Sequence, residues 1–202
     1  MPSRSATPIL SARSALLGFD RPVLGPLSMH VPPGARWALT GPNGAGKSLL
    51  LRAITGQARV HAGRLQVAPG VRVSLLAQDH PRRQPLPLSG YDWLRAMGAR
   101  VTEPSPVSAL LDRRLDHLSG GQWQLLRLAA ALSSCSGHAP SQRLILLDEP
   151  ANHLDAEVRD DALVLIRGLP PETTLLITSH DDAFLQAVGV ENRPLAEYID
   201  AR

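Results

Sequence analysis

GPNGAGKS, running from Gly41 to Ser48, is the stretch that decides the fold. It matches the pattern G-x-x-x-x-G-K-[ST], and its neighbours are the required ones. Arg36–Thr40 before it reads as a strand, and Lys47–Thr55, closed by Gly56, reads as a helix. A glycine turn between strand and helix is a P-loop: backbone N–H groups point inward, and the helix start adds positive partial charge. Gly41, Pro42, Asn43, Gly44, Ala45, Gly46, Lys47, Ser48 and Leu49 are therefore the candidate cradle for nucleotide phosphates. Lys47 would reach the β and γ phosphates and Ser48 would ligate magnesium. Of the 21 Lys and Arg residues, Lys47 is the sole lysine. In a chain so biased towards arginine, a compact ammonium is kept where a planar guanidinium fork would not fit.

Working outward, the chain of 202 residues is long enough for one domain with a small inserted subdomain. With 44% hydrophobic and 19% charged residues and a mean hydropathy of -0.05, it has material for a buried core, which excludes wholesale disorder. Charge or proline breaks every apolar run well short of the roughly 18 residues a membrane span needs. The start, MPSRSATPILSARSALLG, lacks the long apolar stretch of a secretory signal. The single cysteine, Cys135, permits no internal disulfide, suits a reducing compartment and is expected to pack. A cytoplasmic location is the resulting expectation. The net charge of +3 comes from scattered arginines, with short pairs only at Arg82–Arg83 and Arg113–Arg114, so a nucleic-acid groove is not indicated.

Periodicity predicts a small β layer at the N-terminus, with strands over Ile9–Leu17 and Leu27–Val31 around a turn at Phe19. GRLQVAPGVRVSLLAQ, ending at Gln78, reads as a hairpin turning at Pro69-Gly70. Residues 79–117 change character. Pro81, Pro85 and Pro87 mark a loop, and Tyr91–Met97 and Pro106–Leu115 suggest two short helices, an inserted helical subdomain. Ser119-Gly-Gly opens a helix to about Leu132, and Ser133–Ser141 is a polar loop. Asp155–Gly168 reads as an amphipathic helix, Thr173–Ile177 as a strand and Asp181–Val188 as a last helix. Strands alternating with helices predict an α/β fold around a mainly parallel sheet.

LILLDEP, Leu144 to Pro150, is four apolar residues followed by two carboxylates, the pattern of an interior parallel strand delivering charge at its carboxyl end. Asp148 is the candidate for holding magnesium, and Glu149 for orienting or deprotonating the attacking water. LSGGQ, Leu118 to Gln122, could by itself be an N-cap and turn. In this order after a P-loop, and followed by LILLDEP, it resembles the signature of ATP-binding cassette (ABC) ATPases. The resemblance covers essentially the whole chain, with a core of 1–78 and 118–202 and a helical insert at about 79–117. It implies an ABC-type cassette with an N-terminal antiparallel β layer, using ATP and Mg2+.

The same resemblance implies the remaining roles. Two cassettes stack head to tail, so Ser119, Gly120, Gly121 and Gln122 would contact the γ-phosphate of ATP held by the opposite protomer. Gln78 matches the Q-loop glutamine that senses magnesium and the water. His180, in TSHD from Thr178 to Asp181, matches the switch histidine that contacts the γ-phosphate. ANHLD, Ala151 to Asp155, looks like the D-loop that crosses the dimer interface, although Asp155 could equally cap the following helix. Phe19, the only aromatic before Trp37, is the candidate to stack on adenine, while Trp93 and Trp123 read as packing residues. Leu125 stands where the family usually has an arginine, with Arg127 as a possible substitute.

Two uses of the ATPase follow from resemblance. One is the nucleotide-binding subunit of a transporter, peripheral on the inner face of the membrane and paired with integral permease subunits; LGPLS and LSGGQWQLLRLAAAL resemble cobalamin-importer ATPases. The other is a soluble ABC-F-like factor acting on ribosomes, suggested by the short hairpin expected over GRLQVAPGVRVSLLAQ, by NHLD and by SHDDAFL. The single cassette and the lack of a long charged linker favour the transporter.

Overall fold

The computed structural model describes residues 7–78, 87–101, 104–133, 142–152 and 154–200. Cys135, the prolines at 81 and 85, the Arg82–Arg83 pair, His153 and the loop residues 134–141 lie outside them. Among the described residues the strands form a three-stranded antiparallel sheet and a five-stranded parallel sheet. Strand β1 (Leu10–Gly18) lies between β2 (Pro22–Val31) and β4 (Arg59–Val67), with Ala12 opposite both Met29 and Leu65. The parallel sheet has the order β5 (Val71–Leu76), β6 (Gln142–Asp148), β7 (Thr174–Thr178), β3 (Arg36–Thr40), β8 (Glu191–Pro194).

Side chains alternate across a strand, and here that alternation builds two cores. Leu144 and Leu146 of β6 and Leu176 of β7 face one side. They pack there with helix α1 (Lys47–Ile54) and the apolar face of the antiparallel sheet, including Leu10, Leu27 and Met29. Ile145 and Leu147 of β6 and Leu175 and Ile177 of β7 face the other side. They meet α4 (Gly120–Leu132), α5 (Ala156–Arg167) and α6 (Asp182–Val188). Each fully buried leucine of these strands contributes about 1.5–3 kcal/mol, so the apolar run of β6 holds both layers to the sheet. The short helices α2 (Gly90–Ala96) and α3 (Ser108–Leu111) add Leu94 and Leu110 to the same cluster as α4. Trp93 and Trp123 pack edge to face there, ring centroids 4.8 Å apart, as packing residues should.

Three sequence expectations are corrected. GRLQVAPGVRVSLLAQ is not a hairpin: β4 pairs with β1 in one sheet and β5 pairs in parallel with β6 in the other. The turn at Pro69-Gly70 exists, with Gly70 at φ +77°, but it passes the chain between sheets. Alternation marks a strand without saying which neighbour it takes. The helix expected over Pro106–Leu115 is cut to α3 followed by a 3-10 turn at Leu115–His117. Pairing with residues 88–90 wins there, since the Gly90 amide donates to the Arg113 carbonyl at 2.9 Å and the Leu115 amide to the Leu88 carbonyl at 3.0 Å. Finally, β8 was not anticipated, because ENRP carries no apolar signal. It is an edge strand whose backbone, paired to β3, does the holding.

Candidate nucleotide site

Because the strands of the second sheet are parallel, their carboxyl ends share one edge, the edge where open α/β sheets bind ligands. Thr40 of β3 leads there into the P-loop, Leu76 of β5 leads to Gln78, Asp148 ends β6, and Thr178 ends β7 just before His180. Four loops that look unrelated in sequence are thereby brought to one place.

In the P-loop, Gly41, Gly44 and Gly46 have φ of +144°, +79° and +97°. A Cβ on Gly46 would stand 2.9 Å from Leu24 Cδ2, so the loop sits tightly against the start of β2. Gly46 caps α1 with no side-chain hydrogen bond, which leaves the first N–H groups of the helix available to an anion. Lys47 is 7% exposed and its Nζ donates to the carbonyls of Gly41 and Pro42 at 2.7 and 3.0 Å. The cation is thus curled within the cradle that it would serve.

Ser48 Oγ donates to Asp148 Oδ1 at 2.9 Å, so the two candidate metal ligands meet although 100 residues apart. A hydroxyl beside a carboxylate is a hard-oxygen pair, the donor set magnesium takes when phosphates and water complete its shell. Thr178 Oγ1 donates to the same Asp148 oxygen at 2.7 Å. Glu149, 5% exposed and at φ +51°, donates its amide to the Thr178 carbonyl at 3.1 Å and to the Thr178 hydroxyl at 3.2 Å. Its carboxylate accepts from the His180 amide at 3.3 Å and stands 3.3 Å from His180 Nε2. Ser48, Asp148, Thr178, Glu149 and His180 are therefore joined by one run of contacts, and Lys47 precedes Ser48 in the P-loop.

Other predicted residues are elsewhere. Ser119 caps α4 through a capping box with Gln122, accepting from the Gln122 amide at 3.1 Å. Ser119 and Gly120 are exposed, and α4 lies on the face of the sheet opposite α1. Gly121 is buried, and a Cβ there would come into ordinary contact with Leu154 and Val158, so the signature lies beside the ANHLD segment. Asp155 does cap α5, accepting from the Val158 amide at 2.9 Å. Gln78 is exposed beyond β5, and Phe19 is 47% exposed in the turn before β2.

Two polar residues here, Thr178 and Arg113, carry no assigned role in the sequence, and a third, Arg127, is the candidate substitute for the family's arginine. Thr178 was read only as part of the histidine segment, and a buried hydroxyl at the end of an apolar strand was the available signal. Arg113 donates to Gln122 Oε1 at 3.0 Å and to the His117 carbonyl at 2.8 Å, holding the signature turn. Arg127 is 8% exposed, and burial lowers its pKa from the ordinary value. It donates to the Ala77 carbonyl at 2.8 Å, tying α4 to the residue before Gln78.

The model of the ABC transporter family matches residues 24–152. The chain is 34% identical over 183 residues to the zinc import ATP-binding protein ZnuC of Marinobacter nauticus, covering 86% of this chain and 69% of that protein. It is 30% identical over 201 residues to the hemin import ATP-binding protein HmuV of Bordetella pertussis, covering 85% and 77%. An ABC transporter ATP-binding protein of Pyrococcus furiosus shares the fold with a TM-score of 0.72 at 24% identity, covering 95% of this chain and 99% of that one. A metal-chelate type ABC transporter in an inward-facing conformation aligns with a TM-score of 0.64 at 27% identity, covering 90% and 77%.

Proposed function

The chain belongs to the ABC transporter family as an ATP-binding, ATP-hydrolysing subunit, and from that premise we propose that it drives import by a separate membrane permease. The observation that carries the proposed chemistry is the pairing of Ser48 with Asp148 and of Glu149 with His180, bridged by Thr178, beside the P-loop. The P-loop amides and Lys47 bind the phosphates. Ser48 and Asp148 would hold magnesium, which would supply charge neutralisation for the phosphates. Glu149 orients the attacking water and takes its proton, and His180, exposed on one side and paired with Glu149 on the other, contacts the γ-phosphate. Gln78 reports magnesium and water to the rest of the chain, and Phe19 stacks on adenine. The Leu24–Gly46 contact supports that last role, because it brings the turn holding Phe19 near the cradle.

A second cassette completes the site. The exposed Ser119 and Gly120 lie across the sheet from the chain's own P-loop, so their hydrogen bonds serve a nucleotide held by a partner. The relatives named for zinc and hemin import, and the metal-chelate type transporter, support a metal ion or metal chelate as cargo. They lend no support to the ribosome-acting alternative. A cavity of about 650 Å³ lined by Tyr91, Leu94, Arg95, Arg100, Val101 and Leu111 offers the permease an apolar floor with basic edges. Among the described residues no helix is long and apolar enough to cross a membrane.

The test compares two variants by equilibrium ATP binding and steady-state turnover. Lys47→Ala is expected to weaken ATP binding at least tenfold, and Glu149→Gln to keep binding while slowing turnover about a hundredfold, the usual loss with a general base. Equal loss of binding in both would contradict the roles.

A further inference from the structure

We infer that Thr178 is a positioning residue that sets both acidic groups of the site, aiming the Asp148 carboxylate at the metal and fixing the backbone turn that carries Glu149. The inference rests on the proposed roles of Asp148 and Glu149. Thr178 closes β7 after Leu175, Leu176 and Ile177 and is fully buried, opposite Asp148 in the parallel register. A hydroxyl buried in such a strand is costly unless it is hydrogen-bonded. Valine has the same shape and suits a strand at least as well, so packing does not ask for the oxygen.

Both hydrogen bonds of that oxygen go to the acidic pair. It donates to Asp148 Oδ1 at 2.7 Å, alongside Ser48 Oγ at 2.9 Å. Two donors on one carboxylate oxygen fix the rotation of the group and leave Oδ2 free of both. The same oxygen accepts from the Glu149 amide at 3.2 Å, next to the Thr178 carbonyl at 3.1 Å. Glu149 sits at φ +51°, a backbone state that a residue with a side chain holds only under constraint from its surroundings. Thr178 also lies two residues before His180, which touches the Glu149 carboxylate. One hydroxyl therefore links the metal ligand, the general base and the strand that carries the switch histidine.

The test compares Thr178→Val and Thr178→Ser with the parent protein. Nucleotide affinity is measured without magnesium and across a magnesium titration, and turnover is measured at saturating magnesium. Valine should leave magnesium-free ATP binding within twofold. It should raise the magnesium needed for half-maximal tightening by about tenfold and lower kcat by about tenfold with KM little changed, the scale of one lost hydrogen bond to a charged group. Serine, which keeps the oxygen, should restore both. Thr178→Ala removes the same hydroxyl without placing a methyl group against the carboxylate and repeats the comparison if the valine variant does not fold. An unchanged magnesium requirement in the variants lacking the hydroxyl, alongside a raised one in Ser48→Ala and Asp148→Asn, overturns this inference alone. If Ser48→Ala and Asp148→Asn also leave it unchanged, the magnesium role of Asp148 itself fails.

Discussion

At the scale of single residues, the glycines of the P-loop differ in why they must be glycine. Gly44 and Gly46 both have positive φ, but nothing lies within 4 Å of a Cβ on Gly44, whereas one on Gly46 meets Leu24. Gly44→Ala therefore carries only the conformational cost, about 1–2 kcal/mol. Gly46→Ala adds displacement of a buried leucine, and thermal unfolding should show it to be the less stable of the two. An equal fall in Tm would mean that the Leu24 contact has no weight. Lys47, Ser48, Asp148 and Glu149 were legible in the sequence because their chemistry dictates residue type and spacing. Thr178 was not, because its importance comes from the register of β6 beside β7, which no local pattern records.

Elements were legible where one face is apolar and illegible where pairing decides. The helices after the P-loop and after Ser119 start where their caps say they should. GRLQVAPGVRVSLLAQ contains two strands, as its alternation says, yet they serve different sheets. The link between α4 and the end of β5 is likewise a matter of tertiary placement. Arg127 reaches the Ala77 carbonyl from a helix that begins 43 residues after it, while Leu125 sits buried in the core where the family's usual arginine would stand. Removing that guanidinium leaves a carbonyl without its donor, at a cost of about 1–3 kcal/mol. Arg127→Met should lower Tm accordingly and reduce turnover more than ATP affinity, since it loosens the approach to Gln78 and leaves the P-loop untouched. A variant with parental turnover would show that the helix and the Q-loop are not coupled through this contact.

For the whole molecule, the proposed pairing of two copies follows from the two faces of the parallel sheet. The phosphate cradle starts the helix on one face, and the signature starts the helix on the other. The basic-edged cavity beside α2 is the proposed surface for the permease. Arg95→Glu, at its exposed rim, should abolish retention of the chain by a detergent-solubilised permease while leaving ATP binding at parental affinity. Retention at the parental level would move the permease contact elsewhere. The most direct test of the central claim is the mass in solution of Glu149→Gln, measured by light scattering with and without ATP and magnesium. A monomer that doubles its mass only with ATP present is the expected result. A mass that stays that of one chain under saturating ATP, with the permease also supplied, would contradict it.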